Sequence, residues 1–146
     1  MKFEKYKQSH FENCLQLFDK NCPKSFAANE RDDYAAYLKT TSDLYQLGFL
    51  EGELLAAFGI SINNNTGRGR ITWIMVCPFS NGKGIGRQMM VHAIDIANKE
   101  NVETIDISAS HLSEPFFEKF GARRIKMTKE GWGPNMHRVD MELKLS

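Results

Sequence analysis

Hydrophobic positions along this chain switch repeatedly between a period of two and a period of 3.6, and the switches mark out its elements. Residues 1–6 alternate charged and aromatic side chains, as a strand does. From Phe11 the apolar positions Phe11, Cys14, Leu15 and Phe18 follow helical spacing, with Ser9 as the expected N-cap and Cys22-Pro23 as the stop. A second, short helix is expected over Glu30 to Leu38. Residues 44–50 and 54–62 read as two strands around Glu51-Gly52-Glu53, a hairpin. Asn63 to Gly67 is a turn by composition, and Ile71 to Val76 is a largely apolar strand of central type.

The second half starts with a long helix from Ile85 to about Asn98, which turns Ile85, Met89, Ala93 and Ile96 inward, widened by Met90, Ile94 and Ala97. A strand follows at Thr104–Ala109. Ser113-Glu114-Pro115 has the form of a helix start, with a capping residue and then proline in the first turn, and that helix stops at Gly121. Strands near Arg123–Thr128 and Met136–Leu143 are separated by the turn-rich segment Glu130–Asn135. The order is strand, two helices, three strands, helix, strand, helix, two strands. Consecutive strands joined by hairpins predict an α+β fold with a mixed, mostly antiparallel sheet of about seven strands and about four helices.

Between the strand ending at Val76 and the helix beginning at Ile85 lie three glycines at every second position, Gly82, Gly84 and Gly86, flanked by Lys83 and Arg87. Glycine lets main-chain N–H groups reach a ligand without a Cβ in the way. A helix start adds unpaired donors and the positive end of a dipole, so the segment is a cradle for an anion, above all a phosphate. A nucleoside-triphosphate loop needs Ser or Thr after its lysine, and Lys83 is followed by Gly84. A dinucleotide fingerprint needs GxGxxG, and the spacing here is GxGxG with no repeated βαβ unit after it. A third reading is the diphosphate loop of an acyl-CoA site, beside which a nucleotide-binding regulator stays open though disfavoured by the glycine spacing.

The remaining numbers narrow this little further. A chain of 146 residues with 42% hydrophobic and 25% charged content suits one soluble domain, 1–146. A net charge of +1 argues against a dedicated nucleic-acid binder. No segment has the length of a membrane span, and Met1 to Tyr6 lacks the apolar core of a secretory signal, so cytoplasm is the default expectation. Cys14, Cys22 and Cys77 form no CxxC; neither a disulfide framework nor a zinc site is indicated, and no metal is expected. Cys14 reads as core, and Cys77 as a buried small hydrophobe beside the glycine loop.

At these residues the chain resembles the GNAT superfamily of N-acetyltransferases. Val76, Pro78 and Asn81-Gly82-Lys83-Gly84-Ile85-Gly86 match the family's central motif, with Asn81 in place of the usual Arg or Gln. The segment Ser110 to Ala122, with Phe116-Phe117-Glu118-Lys119 inside it, resembles the family's next helix. The two segments stand at the family's usual separation, and the element order matches along nearly the whole chain. The resemblance implies acetyl transfer from acetyl-CoA, as co-substrate, to an amine acceptor, a small molecule or a peptide, without a covalent enzyme intermediate. It also implies a splayed central strand pair with the pantetheine arm in the gap, against Ile74, Met75 and Val76. A main-chain N–H near Val76 would polarise the thioester carbonyl. Amides from Gly82 through Lys83, Gly84, Ile85 and Gly86 to Arg87 would hold the diphosphate, with Asn81 offering a hydrogen bond but no charge.

Two departures touch the chemistry. Ser110 stands where many relatives place an Asn that contacts the pantetheine or the amine. Phe117 stands where many have the tyrosine that protonates the departing thiolate, which phenylalanine cannot do. Because a thiol has a pKa near ~8.5, a dedicated acid is helpful rather than mandatory. A lysine-like amine, with a pKa near ~10.4, does need a base. The strand Ile71–Val76 holds no carboxylate, which leaves His111 as the titratable candidate by position, ahead of His10, His92 and His137. His92 is expected on the polar side of the long helix. Asn21–Glu30, the central strand and Glu130–Asn135 are expected to wall the acceptor pocket, with Trp73 and Trp132 as aromatic surfaces. Glu30, Asp32, Asp33 and Glu130 read as ordinary surface charge, with attraction of a cationic amine as the other reading. A monomer and a homodimer are both open, and a non-catalytic acyl-CoA-binding module is the alternative to an enzyme.

Overall fold

The computed structural model describes residues 1–22, 26–40, 44–80 and 83–145. Strand β1 (Lys2–Lys5) leads through a 3-10 turn at Gln8–His10 into helix α1 (Phe11–Asn21), and a second 3-10 turn at Ala28–Glu30 opens α2 (Arg31–Thr40). Then come β2 (Leu44–Leu50), β3 (Glu53–Asn63), β4 (Arg68–Val76), α3 (Ile85–Lys99), β5 (Thr104–Ser110), α4 (Glu114–Glu118), β6 (Arg123–Gly133) and β7 (Met136–Lys144). The expected order and fold class hold: seven strands form one sheet in the order β1-β2-β3-β4-β5-β7-β6, with β4–β5 as its parallel pair.

The local chemistry accounts for most of the boundaries. Glu51 and Gly52 both have positive φ, 52° and 81°, so a two-residue turn of the twist-matched kind joins β2 to β3. Helix α1 packs Cys14, Leu15, Leu17 and Phe18 on the sheet, and α3 packs Ile85, Met89, Met90, Ala93 and Ala97 on the opposite face. Cys14 is fully buried, which pushes its thiol up to about 12. Gly59 belongs to the α2 face, since a Cβ there would meet Tyr37 Oη at 2.5 Å and Thr72 Oγ1 at 2.6 Å.

Four expectations are corrected. Ser9 does not cap α1; it lies inside the 3-10 turn, where the Lys7 N–H donates to His10 Nδ1 at 3.0 Å. Ser113 precedes α4 but makes no side-chain cap, because its hydroxyl turns back to accept the Ser110 N–H. β6 runs on through the expected loop to Gly133, with an irregular register after Thr128 and positive φ at Glu130. His92 is half-buried: it stacks on Phe3 at 4.2 Å and lies edge-on to Phe58 at 6.0 Å, its Nε2 3.3 Å from Gln46 Oε1.

Candidate functional site

The site begins where two neighbouring strands part. β4 and β5 pair from Arg68↔Thr104 to Ile71↔Ile107 and no further. β4 nevertheless runs on to Val76 beside β3, and β5 runs on to Ser110 beside β7. A wedge therefore opens between them, edged on one side by Thr72 to Val76 and on the other by Ser108 to Ser110.

A bulge turns β4 away. Ala57 pairs with Met75 and Gly59 with Thr72, so β4 carries one residue more than β3 over this stretch. Trp73 takes the strain at φ 47°, and its carbonyl accepts a hydrogen bond from the Tyr45 hydroxyl at 2.9 Å. Tyr34 Oη lies 2.7 Å from Tyr45 Oη. Because Tyr45 spends its proton on Trp73, Tyr34 is the donor of that pair. Burial holds both phenols well above their usual range, so the relay stays neutral and able to donate.

Beyond the bulge β4 resumes its pairing with β3, Ala57 opposite Met75 and Ala56 opposite Val76. The Cys77 N–H donates to Leu55 O at 2.7 Å, toward β3. Strand alternation then turns the Val76 and Ile74 N–H groups the other way, into the wedge. Met75 is buried beneath, while Ile74 and Val76 are half-buried along the opening. The 3-10 turn Pro78–Ser80 carries the chain to the glycine loop.

Asn81 and Gly82, both expected in that loop, lie outside the described residues. Lys83 is exposed. Gly84 is the N-cap of α3 at φ 68°, and a Cβ there would meet nothing within 4 Å. The Gln88 N–H donates to Gly84 O at 3.0 Å, so the amides of Ile85, Gly86 and Arg87 precede the helix's own ladder. Ile85 is buried and anchors the turn, and Arg87 is exposed. Gly86 is small for a packing reason: a Cβ would stand 2.8 Å from Phe116 Cε1, so α4 seats directly on the first turn of α3.

On the β5 side, Ser110 is buried and its hydroxyl lies 3.2 Å from Ser113 Oγ, inside a turn that launches α4. Phe117 is 2% exposed, packed edge-on against Phe116. His111 and His137 bring their rings to 4.6 Å. His111 Nδ1 accepts the His137 N–H at 3.2 Å, and His137 Nδ1 accepts the Glu130 N–H at 2.9 Å. In its neutral form His111 therefore carries its proton on Nε2, and protonation at Nδ1 requires release of the His137 amide.

The segments expected around an acceptor do meet. Asn29 Nδ2 donates to Trp132 O at 3.1 Å, and Trp132 Nε1 donates to Ala109 O at 2.9 Å. Trp73 stands among Tyr34, Tyr37 and Phe26. Glu30 corrects its reading as surface charge. It is buried, accepts the Ala27 N–H at 2.9 Å, and desolvation raises its carboxyl above the usual range. The pattern of residues 26–30 hides this, since a capping carboxylate at a helix start looks the same exposed or buried. Sequence reasoning also passed over Arg70, Ser108, Arg138 and Asp140, an exposed-looking set that the sheet brings together. Among the described residues no group of three or more His, Cys, Asp or Glu side chains is placed to hold a metal, and no helix is long and apolar enough to cross a membrane.

Residues 11–122 match the acetyltransferase (GNAT) family. The chain belongs to that family, whose co-substrate is acetyl-CoA. Among curated proteins, none matches the sequence. Among solved structures, the ribosomal-protein-S18-alanine N-acetyltransferase from Escherichia coli superposes with a TM-score of 0.80 at 14% identity, over 99% of this chain and 94% of that one. An aminoglycoside 6'-N-acetyltransferase complexed with coenzyme A gives 0.77 at 10% identity, over 100% and 98%. Salmonella typhimurium yncA with its cofactor acetyl-CoA gives 0.73 at 12% identity, over 100% and 94%. At these identities the likeness is one of fold.

Proposed function

We propose that the protein is an N-acetyltransferase that moves an acetyl group from acetyl-CoA directly to a primary amine. The observation that carries this is the end of β4–β5 pairing at Ile71 and Ile107, which leaves strand edge free to pair with an amide-bearing arm. In this reading Ile74, Met75 and Val76 line the pantetheine, and the Val76 N–H, aimed into the wedge, stabilises the oxyanion as the amine attacks. The diphosphate rests on the loop from Asn81 and Gly82 through Lys83, Gly84, Ile85 and Gly86 to Arg87. Open space at Gly84 and the unladdered first turn of α3 support that placement. Lys83 and Arg87 add positive charge from exposed positions.

On the far edge Ser110 and Phe117 form the wall against the thiol end, and water protonates the leaving thiolate where Phe117 has no hydroxyl to offer. His111 is the base of this proposal, accepting a proton as its Nδ1 sheds the His137 amide. An amine screen that detects released CoA thiol tests the proposal. Release above a no-amine control is the expected result, and none across primary amines overturns it. The second reading, an acyl-CoA-binding module without turnover, is favoured by Phe117 and by the engaged His111 Nδ1. The same release of thiol would defeat it.

A further inference from the structure

We infer that the acceptor carries a carboxylate several bonds from its amine, and that Arg70 and Arg138 receive it; this rests on the transferase reading above. Arg70 is one residue before the last paired position of β4, and Ser108 is one residue beyond the last paired position of β5. Both therefore stand at the apex of the wedge. Arg70 shares the sheet face of Thr72, the face that Tyr37 of α2 covers nearby. Trp132 and the turn at Ala28–Glu30 meet over the same region.

Two guanidinium groups converge there on one neutral oxygen. Arg70 donates to Ser108 Oγ at 2.9 Å, and Arg138 donates to the same atom at 3.3 Å. The nearby carboxylate, Asp140, is taken by Arg138 at 3.0 Å and by the Ser108 hydroxyl at 3.3 Å. The next arginine along β4 makes the contrast. Arg68 lies between two carboxylates, Asp106 and Glu142. Among the described residues no carboxylate lies within ion-pair distance of Arg70. The groups gathered on Ser108 are therefore two cations and one anion, while Asp106, the register partner of Arg70, has both oxygens taken by Arg68.

Arg138 is also held in place. Its guanidinium lies 5.0 Å from the Trp132 ring, which is itself tied to Ala109 O. A carboxylate accepting from both arginines fits the planar geometry of guanidinium and relieves their repulsion. Ser108 lies level with Thr72, and from there to Val76 is four residues of strand, on the order of 10 Å, so a substrate so anchored reaches Val76 with an amine several bonds from the carboxylate, as in a short ω-amino acid. A polyamine brings further positive charge to the same apex and is disfavoured.

The test compares common amino acids and short ω-amino acids with their carboxamides, in matched pairs, by CoA thiol release from the full chain. The carboxylate member of a used pair is expected to show a kcat/KM higher by about tenfold or more, the scale of a charge-assisted hydrogen bond. In Arg70→Gln that ratio is expected to collapse toward one, and Arg70→Lys is expected to restore part of it. Arg70 is exposed, so the substitution leaves the core alone. Carboxamides or polyamines used as well as the acids, no use of either member of any pair, or an unchanged ratio in Arg70→Gln would each overturn the inference. Calorimetry with acetyl-CoA separates the two claims. Absence of binding overturns the transferase reading and this one with it, whereas binding and amine acetylation indifferent to the carboxylate overturn this one alone.

Discussion

The Tyr45 hydroxyl donates to the carbonyl of Trp73, so a side chain two strands away holds the one left-handed residue of β4 in place. Trp73 sits within the bulge, and the bulge begins where β4 leaves β5. Removing that hydroxyl strands the Trp73 carbonyl and deprives Tyr34 of its acceptor. Tyr45→Phe is expected to lose about 1–3 kcal/mol of stability, the cost of a buried polar group left unpaired. Urea unfolding measures that loss, and acetyl-CoA calorimetry is expected to show weaker binding beside it. Unchanged affinity would separate the bulge from the wedge.

The oxyanion role given to Val76 depends on one N–H. Because that N–H faces away from β3, Val76→Pro removes the donor without removing a β3–β4 ladder bond. The expected result is a fall in kcat of about 10²–10³-fold, the scale of a lost oxyanion donor, with acetyl-CoA affinity largely kept. A kcat within a few-fold of the parent protein would remove Val76 from the mechanism.

The two glycines at the head of α3 are expected to fail differently. Gly84→Val is strained at φ 68° and puts a side chain into open space, so it should weaken acetyl-CoA binding strongly while costing about 1–2 kcal/mol of stability. Gly86→Ala instead drives a Cβ into Phe116 and displaces α4, for about 1–3 kcal/mol of overpacking. Pairing it with Phe116→Leu should recover much of that loss. Thermal melts alongside calorimetry distinguish the two cases.

His92 gives the fold a dependence on mild acid. Burial pushes its imidazole below the ordinary value, against the opposing pull of Asp95. The unfolded chain therefore takes up the proton first, and stability falls as pH drops below about 6.5 and on through the lower, folded value. Glu114, held low by Arg124, loses its contribution only in stronger acid, as pH falls below the usual carboxylate range. Melting temperatures at pH 7.5 and 5.5 should differ in the parent protein, and His92→Phe, which keeps the stack on Phe3, should flatten the difference.

What the residues revealed followed from how local each signal was. The long helix and the hairpin at Glu51-Gly52 are written in spacing and turn chemistry, and the structure has them where the pattern puts them; of the glycine loop, the described part from Lys83 onward leads into that helix. The bulge was not legible, because Ile71-Thr72-Trp73-Ile74-Met75-Val76 reads as an unbroken apolar strand with no glycine to mark the left-handed residue. His92 followed helix periodicity to the polar side, yet β1 reaches over to cover it with Phe3. The arginines at the wedge apex are ordinary alternating strand residues until the sheet sets β4, β5 and β7 side by side. Contacts between distant strands decide such positions, and a linear pattern does not record them.

The most direct test of the account is a titration of the isotope-labelled protein with acetyl-CoA, followed through its backbone amide resonances. The account predicts the largest shifts at Ile74, Val76, Ile85, Gly86 and Arg87, the groups facing the wedge and the head of α3. Shifts concentrated elsewhere, for example around the Arg68–Asp106 pair, with those five amides unmoved, would contradict it.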